Sequence, residues 1–193
     1  MITKMVTVLL MAAFYSCYFI KMINQRKKGI RTDQLGKGKE GLVKFIETAL
    51  KITTCALPLV QLISIVYCKA NRYVLFRRAG VAITAAGVAV FMLSVLQMKD
   101  NWRAGVQKEE KTMLVTTGIY SISRNPAFLG FDLMYTGILF TYFNWCLCAA
   151  TVIAVLLFHL QIVKAEENFL TEAFGNEYRQ YKSKVCRYFG RRN

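Results

Sequence analysis

Acids, prolines and histidines are scarce in this chain of 193 residues. There are 11 Asp and Glu against 26 Lys and Arg, two prolines and one histidine. A single histidine, His159, excludes multi-histidine metal chemistry. The six cysteines (17, 55, 68, 146, 148 and 186) never fall in C-x-x-C spacing, so neither a zinc site nor a disulfide framework is indicated, and no metal is expected. The chain has no phosphate loop, dinucleotide fingerprint, Ser–His–Asp order, internal repeat or low-complexity segment. A net charge of +15 would suggest nucleic acid in a soluble protein. Here the basic residues flank apolar runs instead of lining one helix face, so no nucleic-acid partner is expected.

What is abundant is apolar length. Hydrophobic residues make up 55% of the chain, and they are gathered into blocks over residues 1–23, 45–68, 79–98, 126–143 and 145–163. A run of about 18 or more apolar residues reads as a membrane span. The expectation is an all-α integral membrane protein with about five transmembrane helices. The first block reads as a retained span and not a signal peptide, because no small-x-small site precedes the basic residues after it. Residues 24–44 read as a loop. Glu47 and Lys51 are one helical turn apart and are expected to pair. Pro58 is tolerable in a membrane helix. The third block is rich in small residues that permit close packing. Asn144 separates the last two blocks so briefly that they form an antiparallel hairpin, with a polar, helical tail after it.

Charge orients the spans. Five spans put residues 21–51, 99–125 and 164–193 on one side, with twenty-one of the 26 Lys and Arg. The positive-inside rule places that side, with the C-terminus, in the cytosol and the N-terminus outside. The membrane is the inner membrane in a prokaryote or the endoplasmic reticulum in a eukaryote.

Two polar stretches, residues 114–130 and 165–181, therefore share the cytosolic side. The first holds Gly118, Tyr120, Arg124 and Asn125-Pro126, where Asn is placed to cap a helix and Pro suits its first turn. The second holds adjacent Glu166 and Glu167, which point in different directions and would favour the dipole of a new helix. Asp132 sits two turns into a span, where an acid has a pairing or a functional role. His159 lies seven residues before Glu166, which places both on one helix face. Read locally, His159 is a boundary histidine or a base.

Together the two stretches carry a pattern. It reads Leu-Val-x-x-Gly-Ile-Tyr-x-x-x-Arg-Asn-Pro-x-Phe-x-Gly, an apolar hairpin, then Glu-Glu-x-x-Leu-x-x-x-Phe-Gly-x-x-Tyr-x-x-Tyr-x-x-x-Val-x-Arg. This resembles the isoprenylcysteine carboxyl methyltransferase family and the related phospholipid N-methyltransferases. The likeness covers roughly residues 100–189, and five spans resemble the small prokaryotic members. It implies an N-terminal membrane region over 1–98 and a methyltransferase core over 99–193. It also implies S-adenosyl-L-methionine as cofactor and a lipid or prenylated acceptor entering from the bilayer.

By resemblance, a cytosolic cofactor pocket is implied at Thr117, Gly118, Tyr120, Arg124, Asn125, Pro126, Leu129, Glu166 and Glu167. Asn125 stands where the prenylcysteine enzymes have His, and Phe128 where they have Tyr. Thr112 stands where they often have a second His. Asn101-Trp102-Arg103 is similar to an element of bacterial members. Arg187-Tyr188-Phe189 matches the closing motif, with Gly190 in place of Pro. Arg187 is the candidate cation for an acceptor carboxylate, with Glu167 beside it as a second catalytic candidate. Asp132 and His159 join Arg187 as acceptor-side candidates, because an amine acceptor must lose a proton. The alternatives are a phospholipid N-methyltransferase, an NADPH-dependent sterol-reductase-like enzyme, and a non-catalytic membrane scaffold.

Overall fold

A computed structural model describes residues 1–105 and 113–192. Among these residues the regular structure is helical, with two isolated bridge pairs and no strand. The helices are α1 (Ile2–Lys27), α2 (Gly41–Tyr67), α3 (Val74–Met98), α4 (Pro126–Thr141), α5 (Trp145–Gln161) and α6 (Glu167–Lys184). Apolar runs of this length become helices because a bilayer offers no water to main-chain groups, which must pair within the segment. Four helices are long and apolar enough to cross a membrane by length and composition, those starting at Ile2, Gly41, Val74 and Trp145. α4 is apolar but has only 16 residues, roughly 24 Å of helix against a hydrocarbon core of about 30 Å. The protein is a multi-pass membrane protein.

The helices are longer than the apolar blocks. α1 continues past Ile23 to Lys27, and α2 begins at Gly41, so the loop over 24–44 contracts to residues 28–40. Arg26 and Lys27 in the last turn of α1 suit the negative end of the helix dipole. The largest departure is at the end of α5. No new helix begins after Val163. α5 passes through a π-helical turn, Ile162–Glu166, directly into α6. A π turn shifts the phase of everything after it. His159 and Glu166 therefore do not share a face: His159 is exposed beside Tyr188, and Glu166 points into a cavity. The dipole reading of Glu166 and Glu167 falls with the absent helix start.

α3 and α4 are pressed together through glycines. A Cβ on Gly87 would lie 2.5 Å from the Met134 nitrogen, and one on Gly130 would lie 2.8 Å from the Phe91 nitrogen. The small residues of the third block thus serve close packing, as expected of a membrane helix pair. α1 adds Phe14, whose ring stacks on Phe91 at 4.3 Å.

Hydrogen bonds define the two ends of the bundle. At one end Lys4 Nζ donates to the Val66 carbonyl (2.6 Å), the Asn71 amide to the Thr141 carbonyl (2.8 Å), and Asn144 Nδ2 to Ser64 Oγ (2.9 Å). Asn144 also caps α5 by accepting from the Leu147 amide. At the other end Gln25 Nε2 donates to the Trp102 carbonyl (2.8 Å), and the Arg124 amide to the Cys186 carbonyl (3.1 Å). The segments that carry most of the Lys and Arg, and both polar stretches, gather at this second end.

The expected Glu47–Lys51 pair does not form. Glu47 is wholly buried and accepts from the Gly36 amide and Gln161 Nε2. Lys51 turns instead to Asp33. Burial took Glu47 inward, while Lys51, one turn on, stays half-exposed.

Candidate active site

The site is assembled from three segments that the bundle end brings together. The first is the turn after α3. Trp102 is buried against Tyr18 and Phe91, with ring centroids 5.6 and 6.0 Å away. The Ala104 amide donates to the Thr32 carbonyl (2.9 Å), and the Gln34 amide donates to the Ala104 carbonyl (2.8 Å). Arg103 is thereby held between two pinned residues.

The second segment is the loop before α4. Gly118 has φ +58°, and a Cβ there would meet Gln97 Oε1 at 2.6 Å. Only glycine fits that turn comfortably. Gln97 Nε2 donates to Thr117 Oγ1 (3.1 Å), and the 3-10 turn Gly118–Ser121 sends Tyr120 inward. Tyr181 Oη donates to the Tyr120 carbonyl (2.6 Å), which ties α6 to this loop. Burial holds the Tyr120 hydroxyl above its ordinary range, so it stays a neutral donor. Pro126 occupies the first turn of α4 as expected. Asn125 does not cap α4 with its side chain. Its Nδ2 donates to the Arg187 carbonyl instead (3.1 Å).

The third segment is α6 and the residues after it. Glu167 is buried and collects three cations: Arg124 Nη1 at 3.0 Å, Arg187 Nε at 2.7 Å and Lys182 Nζ at 2.9 Å. Burial alone would push its carboxyl up, but the bonds from Arg187 and Lys182 and the charge of Arg124 bring it down to about 2. Arg124 also donates to the Val185 carbonyl and Tyr178 Oη.

Glu166 has the opposite surroundings. Gln161 Nε2 bridges Glu47 Oε1 (2.9 Å) and Glu166 Oε1 (3.5 Å). Among the described residues neither acid has an ion pair. Burial raises the Glu166 carboxyl to about 7, with Gln161 working against that shift and Glu47 adding to it.

Two concavities meet here. A polar cavity is lined by Tyr120, Arg124, Glu166, Tyr181 and Arg103, with Phe169, Leu170 and Phe174 on its apolar side. An apolar groove of about 630 Å³ runs between α1, α2, α4 and α5, past Phe19, Cys55, Pro58, Phe128, Phe131 and Phe158. Arg103 and Gly105 line both.

Of the residues singled out in the sequence, Tyr120, Arg124 and Glu166 line the polar cavity. Thr117 and Gly118 form the turn beside it, and Asn125, Pro126 and Leu129 lie at the start of α4, outside both linings. Glu167 and Arg187 form the ion cluster behind Arg124. Asp132 is half-buried on α4 with Oδ1 lacking a hydrogen-bond partner among the described residues. His159 Nδ1 lies 2.6 Å from Tyr188 Oη. Asp132 and His159 lie outside both linings, and Thr112 lies outside the described residues. Sequence reasoning gave no site role to Glu47, Gln161 or Arg103. Trp102 was the available signal for Arg103: an aromatic in a polar turn marks an anchored turn.

Known proteins resemble this chain in sequence and in fold. Over 79 residues the chain is 35% identical to the protein-S-isoprenylcysteine O-methyltransferase of Saccharomyces cerevisiae, covering 41% of this chain and 33% of that protein. Over 80 residues it is 31% identical to protein-S-isoprenylcysteine O-methyltransferase B of Arabidopsis thaliana, covering 42% and 41%. The chain thus spans about a third to two-fifths of the length of these relatives. The structure of a eukaryotic intramembrane Ras methyltransferase, an isoprenylcysteine carboxyl methyltransferase, superposes with a TM-score of 0.62 at 21% identity. The match covers 92% of this chain and 62% of that one, and shows a shared fold. Residues 76–177, from early α3 into α6, match the model of the phospholipid methyltransferase family. That region exceeds half of the sequence and contains Arg103, Tyr120, Arg124 and both adjacent glutamates. The chain belongs to the phospholipid methyltransferase family.

Proposed function

We propose that this protein is a membrane methyltransferase that uses S-adenosyl-L-methionine and methylates the carboxylate of an isoprenylcysteine-type acceptor. The observation that carries the reading is the meeting of a polar cavity and an apolar groove at Arg103 and Gly105. A transferase for a water-soluble donor and a lipid-tailed acceptor needs two such compartments in contact. The relatives named above are described as acting on isoprenylcysteine, which favours a prenyl tail in the groove.

The cavity residues fit the cofactor. It bears a cationic sulfonium, an ammonium, a carboxylate, ribose hydroxyls and a flat base. Glu166, with no ion pair among the described residues, would hold the ammonium or ribose. Phe169, Leu170 and Phe174 would enclose the base, and Arg124 with Tyr120 would face the carboxylate. With S-adenosyl-L-methionine bound there, the chemistry supplied would be an electrophilic methyl for a carboxylate oxygen, with the sulfur leaving as a neutral thioether and no proton to release. A carboxylate is already ionised at pH 7, so this reaction asks the protein for alignment and not for a base. Glu167 and Arg187 act by holding Arg124 and the loop before α4, as positioning residues. The core of the reaction lies in residues 99–193, while 1–98 supplies the α1 and α2 walls of the groove. The site end of the bundle, rich in Lys and Arg, faces the cytosol by the positive-inside rule.

An amine acceptor is the second reading, favoured by the half-neutral Glu166 in the cavity, which is suited to take a proton. Transfer of radiolabelled methyl to a prenylcysteine acceptor, followed by base treatment, separates the two. Volatile methanol is expected. Base-stable label would support the amine reading, and binding of NADPH without methyl transfer would overturn both.

A further inference from the structure

We propose that Gly175 is a positioning residue for the cofactor: it bends α6 into an elbow whose two arms close on S-adenosyl-L-methionine from different sides. The inference rests on the cofactor reading of the polar cavity given above.

The elbow shows in the backbone and in the contacts it makes possible. Gly175 has φ +52° and ψ −120° in the middle of α6, far from helical values. Glu167 and Lys182 are 15 residues apart, yet Lys182 Nζ lies 2.9 Å from Glu167 Oε2. In a straight helix that separation is roughly 22 Å along the axis, more than the two side chains can span. Leu170 and Phe174, before the glycine, pack against Tyr178, Tyr181 and Val185 after it.

Both arms reach the cavity. Phe169, Leu170 and Phe174 line it from the first arm and Tyr181 from the second. The second arm is tied down. Tyr181 Oη donates to the carbonyls of Tyr120 (2.6 Å) and Ser123 (3.3 Å), and Tyr178 Oη accepts from Arg124 Nη1 (2.9 Å). The first arm leaves the π turn at Glu167, with Glu166 just before it in the cavity wall. The bend at Gly175 thus sets how Phe169, Leu170 and Phe174 stand against Tyr181, and with that the slot offered to the flat base of the cofactor. Among the described residues, none from α6 lines the apolar groove.

Glycine alone takes this backbone without strain, because positive φ with such a ψ is closed to residues that carry a Cβ. A Cβ built on Gly175 meets no atom within 4 Å, so a small substitution there acts through the bend and not through a clash. Alanine relieves its strain by opening the elbow. Cofactor binding must close it again, so the strain opposes binding.

The test compares Gly175→Ala with the unmodified protein in detergent. Calorimetry reads the affinity for S-adenosylhomocysteine and for the carboxamide of N-acetyl-S-farnesylcysteine, an unreactive acceptor analogue, and thermal unfolding reads the midpoint. The expected result is S-adenosylhomocysteine bound at least about fivefold more weakly by Gly175→Ala, with the acceptor analogue within about twofold of its original affinity. A glycine needed only for folding would lower the midpoint and leave both affinities unchanged, which overturns the assignment. Equal weakening of the two ligands overturns it as well, because the groove lies off α6. If the unmodified protein binds neither S-adenosylhomocysteine nor S-adenosyl-L-methionine, the cofactor reading falls and the elbow's role falls with it. If it binds them and Gly175→Ala binds them as tightly, the elbow's role alone falls. Should Gly175→Ala not fold, Gly175→Asn decides, since Asn tolerates positive φ better than most residues. A smaller loss confined to S-adenosylhomocysteine supports the elbow, and unchanged affinity overturns it.

Discussion

Arg124 Nη1 lies 3.0 Å from Glu167 Oε1, with the two side chains only 2% and 6% exposed. Each residue belongs to a different polar stretch, and each was a candidate to touch the cofactor. The structure spends Glu167 on joining those stretches. The bond ties the loop before α4 to α6, and Arg187 and Lys182 complete the cluster.

Removing Glu167 should therefore act first on stability. Glu167→Ala leaves Arg124 buried without its acid, which costs on the order of 3–5 kcal/mol. Thermal unfolding in detergent should show a large drop in midpoint for Glu167→Ala and a smaller one for Lys182→Ala, whose own side chain is 41% exposed. A midpoint unchanged by Glu167→Ala would mean that the cluster does not hold the two stretches together. The low carboxyl value of Glu167 sets the pH range. Its contribution is present above its ordinary value of 4.5 and is lost as pH falls through about 2.

Glu166 should report on the cofactor. Its carboxyl is raised to about 7, so it is neutral below that pH and ionised above it. A cation held beside it binds more tightly as pH rises. S-adenosyl-L-methionine should bind roughly tenfold more tightly at pH 8 than at pH 6, and Glu166→Gln should flatten that dependence. Glu47 and Lys39 also act on this carboxyl, in opposite directions, so Lys39→Ala should move the transition to higher pH. Calorimetry across the range measures both. Stability runs the other way: the raised carboxyl contributes fully below about 4.5, and the contribution is lost as pH rises through 7.

Bulk in the groove should penalise the acceptor alone. Cys55 lines the groove, away from the polar cavity. Cys55→Trp should raise the KM for a prenylated acceptor by at least about fivefold without changing cofactor affinity. Equal kinetics in the two proteins would place the tail elsewhere.

The α3–α4 contact should tolerate no added side chain. Gly87→Val forces a Cβ to within 2.5 Å of the Met134 nitrogen. Overpacking of this kind costs roughly 1–3 kcal/mol or more. The expected outcome is a lower unfolding midpoint in detergent, compared with an exposed helical control such as Gln180→Ala. A midpoint equal to that of the unsubstituted protein would show that the helices separate at little cost.

The sequence by itself determined the membrane class, the segments that share an end of the bundle, and two of the three segments that make the candidate site. These are legible because apolar length, charge asymmetry and short motifs are one-dimensional properties. The tertiary structure decided which members of those stretches face the cavity. Glu166 and Glu167 are adjacent and chemically identical, yet one lines the cavity near neutrality and the other sits in an ion cluster at about 2. The difference comes from the π turn at Ile162–Glu166, which resets the helix phase, and from partners far away in sequence: Glu47 on α2, Arg124 before α4. Arg103 was hidden for the same reason. Its place at the junction is set by Trp102 packing against α1 and α3, and contacts between distant segments leave no period or spacing to read.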